Sequence, residues 1–305
     1  MGNCCACHVR SRKASRHQQQ QLQGLHVPNL SPAGNPLPPI IHRVIRQHEL
    51  APGRLVVVGD VHGCLAELFQ LLDAVKFDYG KDNLILTGDL CNKGPRSQEV
   101  AAAVRLLSEG QAWAVRGNND DAALAAWWNL QQGITPLQAK LAWVGQLLPE
   151  DVDFLMGLPF SLTVEGYNLI VVHGGMLPGV PLEQQQLQHL AALRDVMPQP
   201  DGSFIGLERA EDGSQPWAGF WQGPQHVIFG HDSARRLQTC EHATGIDTGC
   251  CLGAQLTACV LPPLRELQQR ANSAAVQQGV PVTLHDLGAV LVSVPSGSTY
   301  QGDDS

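Results

Sequence analysis

Three short motifs place metal-binding side chains at equal intervals along the chain. They are GDVHGC at 59–64, GDLCNKGPRS at 88–97 and RGNND at 116–120. Asp60 lies 29 positions before Asp89 (60 to 89), and Asp89 lies 29 before Asn118 (89 to 118). Carboxylate, amide and imidazole groups are ligands for divalent ions. This pattern indicates metal-dependent hydrolysis of a phosphate ester or anhydride.

Each motif follows an apolar run that is typical of a buried strand. The runs are LVVVG, LILTG and AWAVRG, and a helix with leucines at helical spacing is predicted between the first two, over 65–75. An interval of 29 residues is about the length of one strand–helix–strand unit. Parallel strands bring their carboxyl ends to one edge of a sheet, where open α/β folds bind ligands. The three motifs are therefore expected to converge there.

Two later histidines also close apolar strands, His173 in VVHGG and His231 in IFGHD. The candidate metal ligands are Asp60, His62, Asp89, Asn118, His173 and His231. Such a set suits two borderline divalent ions (Mn, Fe, Zn or Co) better than one, and Mg less well. Further helices are predicted over 97–107, 120–130 and 136–148, and Ser97 is expected to cap the first of them. Further strands are predicted over 162–164, 227–230, 244–247, 255–261 and 290–295.

The ordered motifs resemble the calcineurin-like metallophosphoesterases, a superfamily that includes the phosphoprotein phosphatases, and within it the ApaH-like phosphatases. Lys in NKGP, the HGGMLPG segment and IFGHDSARRLQ…ATGIDTGCCLGAQLTACVLP support the narrower assignment. The resemblance covers roughly residues 54–261. It implies an α/β fold of the α+β sandwich type, with two mixed sheets flanked by helices and the metals at the strand ends.

The resemblance also implies which of the two ions each ligand binds. Asp60 and His62 would bind the first ion, Asp89 would bridge both ions, and Asn118, His173 and His231 would bind the second. Two ions about 4 Å apart can hold a bridging hydroxide that attacks the phosphoryl group in line. Asn118 would ligate through its carbonyl oxygen without adding another negative charge.

Basic residues near the motifs are candidate phosphate contacts. Lys93 is expected to reach a substrate phosphate as a point charge, where the wider superfamily has an arginine with bidentate geometry. Arg194 is the candidate for a second contact, with Arg209 as its alternative. Arg235 and Arg236 follow the GHD motif and could hold a more distant phosphate, although single arginines are more often solvated or structural.

The chain departs from the superfamily at the proton-donating pair. Asn119 replaces its histidine and Asn92 replaces the acidic partner, and neither amide can deliver a proton. General acid catalysis is typically worth about 10²–10⁴-fold, and it matters most for a basic leaving group. Phosphate leaves an anhydride readily because its second pKa is about 6. The predicted substrates are therefore phosphoanhydrides: dinucleoside polyphosphates, polyphosphate or a capped RNA end. Asn119 could still donate a neutral hydrogen bond to the departing oxygen.

Two other functions stay open at this point. One is a Ser/Thr phosphoprotein phosphatase, which the missing acid pair disfavours. The other is a metal-binding or nucleotide-binding scaffold at a membrane with weakened catalysis. Trp217 and Trp221 could stack a base, although tryptophans at this spacing are more often core residues. Leu252 stands where the superfamily often has a tyrosine, so that hydroxyl contact is expected to be absent.

The composition limits the classes of protein to which the chain can belong. The 305 residues suffice for one sizeable α/β domain with tails. A net charge of −8 argues against general nucleic-acid binding. No apolar run is long enough to span a membrane, and nine cysteines, several adjacent, fit a reducing cytosol better than a disulfide framework. Nothing in the sequence indicates an oligomeric state.

Domain boundaries follow from the local composition. Residues 1–50 contain a glutamine run and five prolines between 28 and 39, which predicts a flexible tail before a phosphoesterase domain over 51–305. Residues 263–288 resemble an insertion, helical over 262–279, and are expected to be a surface excursion without chemistry.

The amino terminus suggests lipidation. Gly2 is the acceptor of N-myristoylation after removal of Met1, although Ala6 departs from the usual Ser or Thr. Cys4, Cys5 and Cys7 are candidate palmitoylation sites, and a basic run over 10–16 would favour anionic lipid. Stable anchoring takes two such signals. The expected location is the cytosolic side of a membrane, or otherwise the cytoplasm, and the alternative is an unmodified or metal-binding tail.

Overall fold

Two facing sheets form the centre of the computed structural model, which describes residues 30–134, 139–270 and 279–300. The first sheet has five strands in the order β14-β13-β2-β3-β4. Its members are β2 (Leu55–Val58), β3 (Asn83–Leu86), β4 (Ala112–Ala114), β13 (Gln255–Leu261) and β14 (Val290–Pro295). Strands β2, β3 and β4 are parallel, and β13 is antiparallel to β2. The three predicted apolar runs therefore end at one edge.

The second sheet has six strands in the order β1-β5-β6-β10-β12-β11. They are β1 (His42–Ile45), β5 (Ser161–Val164), β6 (Leu169–Val172), β10 (His226–Phe229), β11 (Gln238–Thr239) and β12 (Ala243–Gly245). Strands β6, β10 and β12 run parallel. A small third sheet, which the sequence analysis did not predict, joins β7 (Asp195–Pro198), β8 (Phe204–Leu207) and β9 (Gln215–Pro216).

Most helices cover the outer faces of the sheets, whereas the last one packs into the cluster between them. They are α1 (Leu65–Ala74), α2 (Ser97–Ser108), α3 (Asn118–Gln131), α4 (Pro149–Gly157), α5 (Leu187–Ala192) and α6 (Leu264–Gln269). Short 3₁₀ segments lie at Gln47–Glu49, Ala139–Gln146, Leu182–Gln184 and Trp217–Phe220. On α1, buried Leu68, Leu71 and Leu72 recur at helical spacing and form the face that packs on the sheet.

The side-chain alternation of β2 shows why the layers stack in this order. Val56 and Val58 belong to the cluster beneath the helices, whereas Leu55 and Val57 belong to the cluster between the two sheets. All four are fully buried, as expected for a strand covered on both faces. Burying each side chain stabilises the fold by about 1.5–3 kcal/mol. The predicted fold class, two mixed sheets flanked by helices, is confirmed.

The structure corrects three local predictions. Ser97 is the first helical residue of α2 and does not cap it; its hydroxyl accepts a hydrogen bond from the Asn92 N–H at 2.9 Å. The helix predicted over 136–148 is a 3₁₀ segment, Ala139–Gln146, which contains a helix-disfavouring glycine; residues 135–138 lie outside the described ranges. The helix predicted over 262–279 is observed as Leu264–Gln269, and 271–278 are likewise not described.

The predicted tail of residues 1–50 ends earlier than expected. His42–Ile45 form β1, which pairs in parallel with β5, and Ile45 is fully buried. Further upstream, the side chains of Ser31 and Asn35 are also buried. The first 29 residues lie outside the described part of the chain. A four-residue strand that begins with His and Arg has little apolar pattern, which explains why composition alone missed it.

The flanks of the expected insertion at 263–288 pack into the core and are not a surface excursion. Leu267, Val282 and Leu287 are fully buried in the cluster between the sheets. The Val282 carbonyl accepts a hydrogen bond from Nδ1 of His242 at 2.9 Å. Among the described residues, no helix combines the length and apolarity that crossing a bilayer requires.

Candidate metal centre

The six candidate ligands converge where strands of both sheets end. Asp60, Asp89 and Asn118 follow β2, β3 and β4, while His173 and His231 follow β6 and β10. Since the two sheets face each other, their carboxyl ends form the two sides of one site. Because these strands are parallel within each sheet, residues that are far apart in sequence lie close together at their carboxyl ends.

Asp89 belongs to two groups of potential ligands. Ligand atoms of Asp60, His62 and Asp89 lie within 4.8 Å of one another, and so do those of Asp89, His173 and His231. The Nε2 atoms of His62 and His173 lie 3.4 and 3.3 Å from the two carboxylate oxygens of Asp89. The structure therefore gives Asp89 a position between two ligand triads.

Main-chain carbonyls orient two of the imidazoles. His62 Nδ1 donates to the Cys91 carbonyl at 3.0 Å, and His173 Nδ1 donates to the Thr87 carbonyl at 2.9 Å. A carbonyl only accepts, so each ring carries its proton on Nδ1 and presents Nε2 to the centre. Metal-binding histidines are commonly held by such a partner.

The centre has a deficit of positive charge around His173. Its Nε2 faces two oxygens, Asn118 Oδ1 at 2.9 Å and Asp89 Oδ1 at 3.3 Å. Burial lowers the pKa of His173, but the Asp89 and Asp60 carboxylates outweigh it and raise this pKa to about 9. Burial likewise opposes ionisation of Asp89, yet His173 and His62 hold its pKa well below the ordinary value. A cation at this position satisfies all these groups.

His231 provides an independent indication. Its Nε2 is buried and has no hydrogen-bond partner in the described part of the chain, while its main-chain N–H donates to Asp60 Oδ2 at 3.0 Å. Burial, followed by the charges of His173 and Arg194, lowers the pKa of His231 well below its ordinary value. The unprotonated nitrogen of a neutral imidazole has a lone pair, and without a hydrogen-bond partner that lone pair is available to a metal. The donor set therefore fits divalent ions.

Unusual backbone conformations concentrate at this site. His62, Asp89, Asn92, Lys93 and His231 have φ angles of 46, 48, 68, 66 and 69°. A left-handed conformation costs a non-glycine residue about 1–3 kcal/mol, and such residues cluster at functional sites. A Cβ added at neighbouring Gly117 or Gly230 would collide with the carboxylate of Asp89 or Asp60.

The two amides that replace the acid pair are tied into the scaffold. Asn119 donates to both oxygens of Asp89, from its backbone N–H to Oδ1 at 2.8 Å and from Nδ2 to Oδ2 at 2.7 Å. Asn92 Nδ2 donates to the Asn119 carbonyl at 2.8 Å, and Asn92 Oδ1 accepts from Trp143 Nε1 at 3.0 Å. Asn119 therefore braces Asp89, a contact that the sequence analysis did not foresee.

The basic candidates differ in their distance from the centre. The side chain of Lys93 is exposed, and its Nζ lies 3.1 Å from His62 Nε2. Arg194 is beside the second triad, where Nη2 donates to the His231 carbonyl at 3.2 Å. Arg235 is engaged by Asp195 and Asp232, each at 2.6 Å, which leaves little charge for a phosphate.

The remaining candidates contact the centre less closely. Arg236 is exposed and donates to the Thr248 carbonyl at 3.0 Å. Arg209 is exposed and makes no ion pair with any residue of the described ranges. Trp217 is buried against Phe229, and Trp221 Nε1 donates to the Gln225 carbonyl, so both tryptophans are core residues and do not offer a base-stacking surface.

Sequence reasoning missed one acidic residue. Asp247 is buried, and its Oδ1 accepts from the Gly249 N–H at 3.0 Å. After burial, Asp247 is the main cause of the raised pKa of Asp60. Asp247 follows β12 in the same way that the candidate ligands follow their strands, and that pattern could have identified it. The candidate lipidation sites Gly2, Cys4, Cys5 and Cys7 lie outside the described residues.

Comparison with known proteins agrees with this geometry. The profile of the calcineurin-like phosphoesterases matches residues 53–235, more than half of the chain. The symmetrical bis(5'-nucleosyl)-tetraphosphatase of Actinobacillus succinogenes is 29% identical over 209 residues, which cover 68% of this chain and 74% of that protein. The asymmetrical bis(5'-nucleosyl)-tetraphosphatase of Halalkalibacterium halodurans is 24% identical over 229 residues, covering 68% and 90%.

A solved structure is similar over most of its length. It is the crystal structure of a candidate diadenosine tetraphosphatase, with 31% identity and a TM-score of 0.67. The match covers 84% of this chain and 98% of that one.

Proposed function

Because the chain belongs to the calcineurin-like phosphoesterase family and is a metal-dependent phosphohydrolase, we propose that it uses two divalent ions to cleave phosphoanhydride bonds. The observation that carries the proposal is the position of Asp89 between two ligand triads. Asp60 and His62 would hold the first ion with Asp89, and Asn118, His173 and His231 would hold the second. Mn, Fe, Zn or Co suits these nitrogen and oxygen donors.

The protein's own groups would fix the geometry of the reaction. Ions held by these residues would supply an activated water nucleophile and positive charge to the reaction. Asn119 holds both oxygens of Asp89 in place, so its amide serves the ligand and does not donate a proton. Lys93 would neutralise a substrate phosphate at the first triad, and Arg194 would contact a second phosphate near His231.

The absence of a proton donor at Asn119 and Asn92 favours anhydrides over phosphoserine. Both amides are engaged with the scaffold, by Asp89, the Asn119 carbonyl and Trp143. A serine alkoxide needs protonation as it leaves, whereas a departing phosphate group, with a second pKa of about 6, does not. The geometry therefore gives no support to the alternative function, that of a Ser/Thr phosphoprotein phosphatase.

Dinucleoside polyphosphates are the proposed substrates. Two similar proteins bear the names symmetrical and asymmetrical bis(5'-nucleosyl)-tetraphosphatase, so the similarity supports the substrate class and leaves the cleaved bond open. The reaction products identify the bond that is cleaved. Chromatography after hydrolysis of diadenosine tetraphosphate would give ADP alone for symmetrical cleavage, or AMP and ATP for asymmetrical cleavage. Hydrolysis of polyphosphate or capped RNA in preference to the dinucleotide would contradict the assignment.

We predict that Asn119→His lowers anhydride turnover by about 10-fold, the lower end of the loss caused by removing an orienting partner of a ligand. The backbone N–H of residue 119 would still donate to Asp89 Oδ1, but the side-chain contact from Nδ2 to Oδ2 would be lost. The double variant Asn92→Asp/Asn119→His restores the acid pair and is expected to raise hydrolysis of a phosphoserine peptide. Steady-state rates on both substrates measure the change. If Asn119→His instead creates anhydride turnover where the natural chain has none, the natural chain is a binding scaffold.

A second prediction concerns Lys93. Replacing it with methionine removes a charged contact to phosphate, which is worth about 1.5–3 kcal/mol, so KM for diadenosine tetraphosphate is expected to rise about 10- to 100-fold. Lys93→Arg should restore part of the loss. The matched control is Lys140→Met, an exposed lysine in the 3₁₀ segment Ala139–Gln146. An unchanged KM in Lys93→Met would remove Lys93 from the site.

We also propose that the amino terminus anchors the enzyme to a membrane. The support is in the residue types alone: Gly2, with Cys4, Cys5 and Cys7 close behind and basic residues after them. Metabolic labelling with alkyne fatty acids tests it. Gly2→Ala should lose the myristate label, and Cys→Ser at the three cysteines should lose the palmitate label and the membrane fraction. A wild-type chain that carries neither label would contradict the proposal.

A further inference from the structure

A second group of metal-binding side chains lies outside the six candidate catalytic ligands. Cys64, Glu67 and Cys250 are all buried, and their ligand atoms lie within 4.8 Å of one another. Cys64 immediately precedes α1, Glu67 is in its first turn, and Cys250 belongs to the loop between β12 and β13. We call this group the thiol cluster.

The environment of Glu67 lacks a counter-charge. Only 3% of the residue is exposed, and no Lys or Arg in the described part of the chain forms an ion pair with it. Both hydrogen bonds that it accepts fall on Oε1, from the Tyr300 hydroxyl at 2.8 Å and the Gly297 N–H at 3.0 Å. Oε2 thus has no protein donor among the described residues. Oε2 is therefore available to a cation, which would also supply the missing counter-charge.

We propose that the thiol cluster binds one thiophilic divalent cation, with Zn²⁺ the physiological candidate. Two sulfur ligands and one carboxylate oxygen select Zn²⁺ or Cd²⁺ over Mg²⁺ or Ca²⁺. In a tetrahedral zinc site the ligands lie about 3.6–3.8 Å apart, as Zn–S bonds of about 2.3 Å require. Binding would draw these atoms, which lie within 4.8 Å of one another, closer together. Water would complete the coordination.

The bound cation would clamp three segments. The start of α1 and the loop after β12 supply the ligands, and the carboxyl-terminal residues cover them. The Tyr300 N–H donates to the Cys251 carbonyl at 2.9 Å, and the Ser296 N–H donates to the Ala254 carbonyl at 2.8 Å. Cys64 Sγ also donates to the His62 carbonyl at 3.8 Å. The clamp therefore adjoins the catalytic centre without sharing a ligand with it.

Cobalt substitution separates the two centres. None of the six candidate catalytic ligands contains sulfur, so an intense near-ultraviolet thiolate-to-cobalt charge-transfer band reports on cysteine ligation alone. The full-length protein would carry Ser at Cys4, Cys5 and Cys7, which removes the tail thiols as a source of that band. Titration with Co²⁺ is expected to produce the band. Cys64→Ser/Cys250→Ser should lose it and bind one ion fewer per chain by elemental analysis.

Two further variants keep the test decisive. Cys259→Ser, a buried cysteine in β13 outside the cluster, is the matched control and should retain the band. Glu67→Gln keeps both cysteines and is expected to weaken Co²⁺ binding at the cluster at least 10-fold, even if the double serine variant fails to fold. Absence of the band in the parent protein would overturn the proposal. So would its persistence in the double variant, or loss of the two thiols to a disulfide before metal is added.

Discussion

Asp89→Asn is expected to lower turnover at least about 100-fold with any divalent ion, the upper end of the loss seen when even an indirect partner of a metal is removed. The carboxylate is the one group that belongs to both triads, and its two oxygens face His62 and His173. An amide offers a single oxygen and no charge. Steady-state hydrolysis of diadenosine tetraphosphate and the metal content of the same sample measure the effect.

The matched control for this change is Asp73→Asn, on the exposed face of α1. It should leave both the turnover and the metal content unchanged. Circular dichroism of Asp89→Asn should show an unaltered fold. Near-normal turnover with two ions still bound would mean that Asp89 does not bridge them.

Asp121→Ala is expected to lower the free energy of unfolding by about 3–5 kcal/mol, the cost of leaving a buried charge without its partner. Arg116 is fully buried, and its Nη1 lies 3.3 Å from Asp121 Oδ1. The same carboxylate accepts from Asn35 Nδ2 at 2.8 Å and from the Ala33 N–H at 2.9 Å. The change therefore strands Arg116 and also releases the segment that leads into β1. Urea unfolding measures the loss.

Two companion variants separate charge from packing. Arg116→Met/Asp121→Ala removes both charges and is expected to recover much of the lost stability. Asp153→Ala, at an exposed position of α4, should change stability by less than about 0.5 kcal/mol. A cost below 1 kcal/mol for Asp121→Ala would show that the pair contributes little to the fold.

The sequence was most informative where short apolar runs lead into motifs that contain glycine. Those runs are β2, β3, β6 and β10, and parallel pairing turned their ends into one site. The predicted fold and family are both confirmed. Strand β1 escaped prediction because its HRVI sequence is half polar and is fixed by pairing with β5, more than a hundred residues away. A contact so distant in sequence has no local pattern.

The functions of individual polar side chains were harder to predict. Replacement of the acid pair by Asn119 and Asn92 was visible, but the double contact of Asn119 with Asp89 depends on how the loops meet in space. The pairing of Arg235 with Asp195 and Asp232 likewise joins separate elements. Motifs identify which residues share a site, whereas tertiary packing decides what each of them contacts.

The most direct test of the proposed activity is a ratio of kcat/KM values, measured on one Mn²⁺-loaded preparation. Diadenosine tetraphosphate is compared with a phosphoserine peptide. Since no protonated group stands where Asn119 and Asn92 lie, the ratio is expected to favour the anhydride by at least about 100-fold, the lower end of what general acid catalysis is worth. A ratio near one, or one that favours the peptide, would contradict a phosphoanhydride hydrolase.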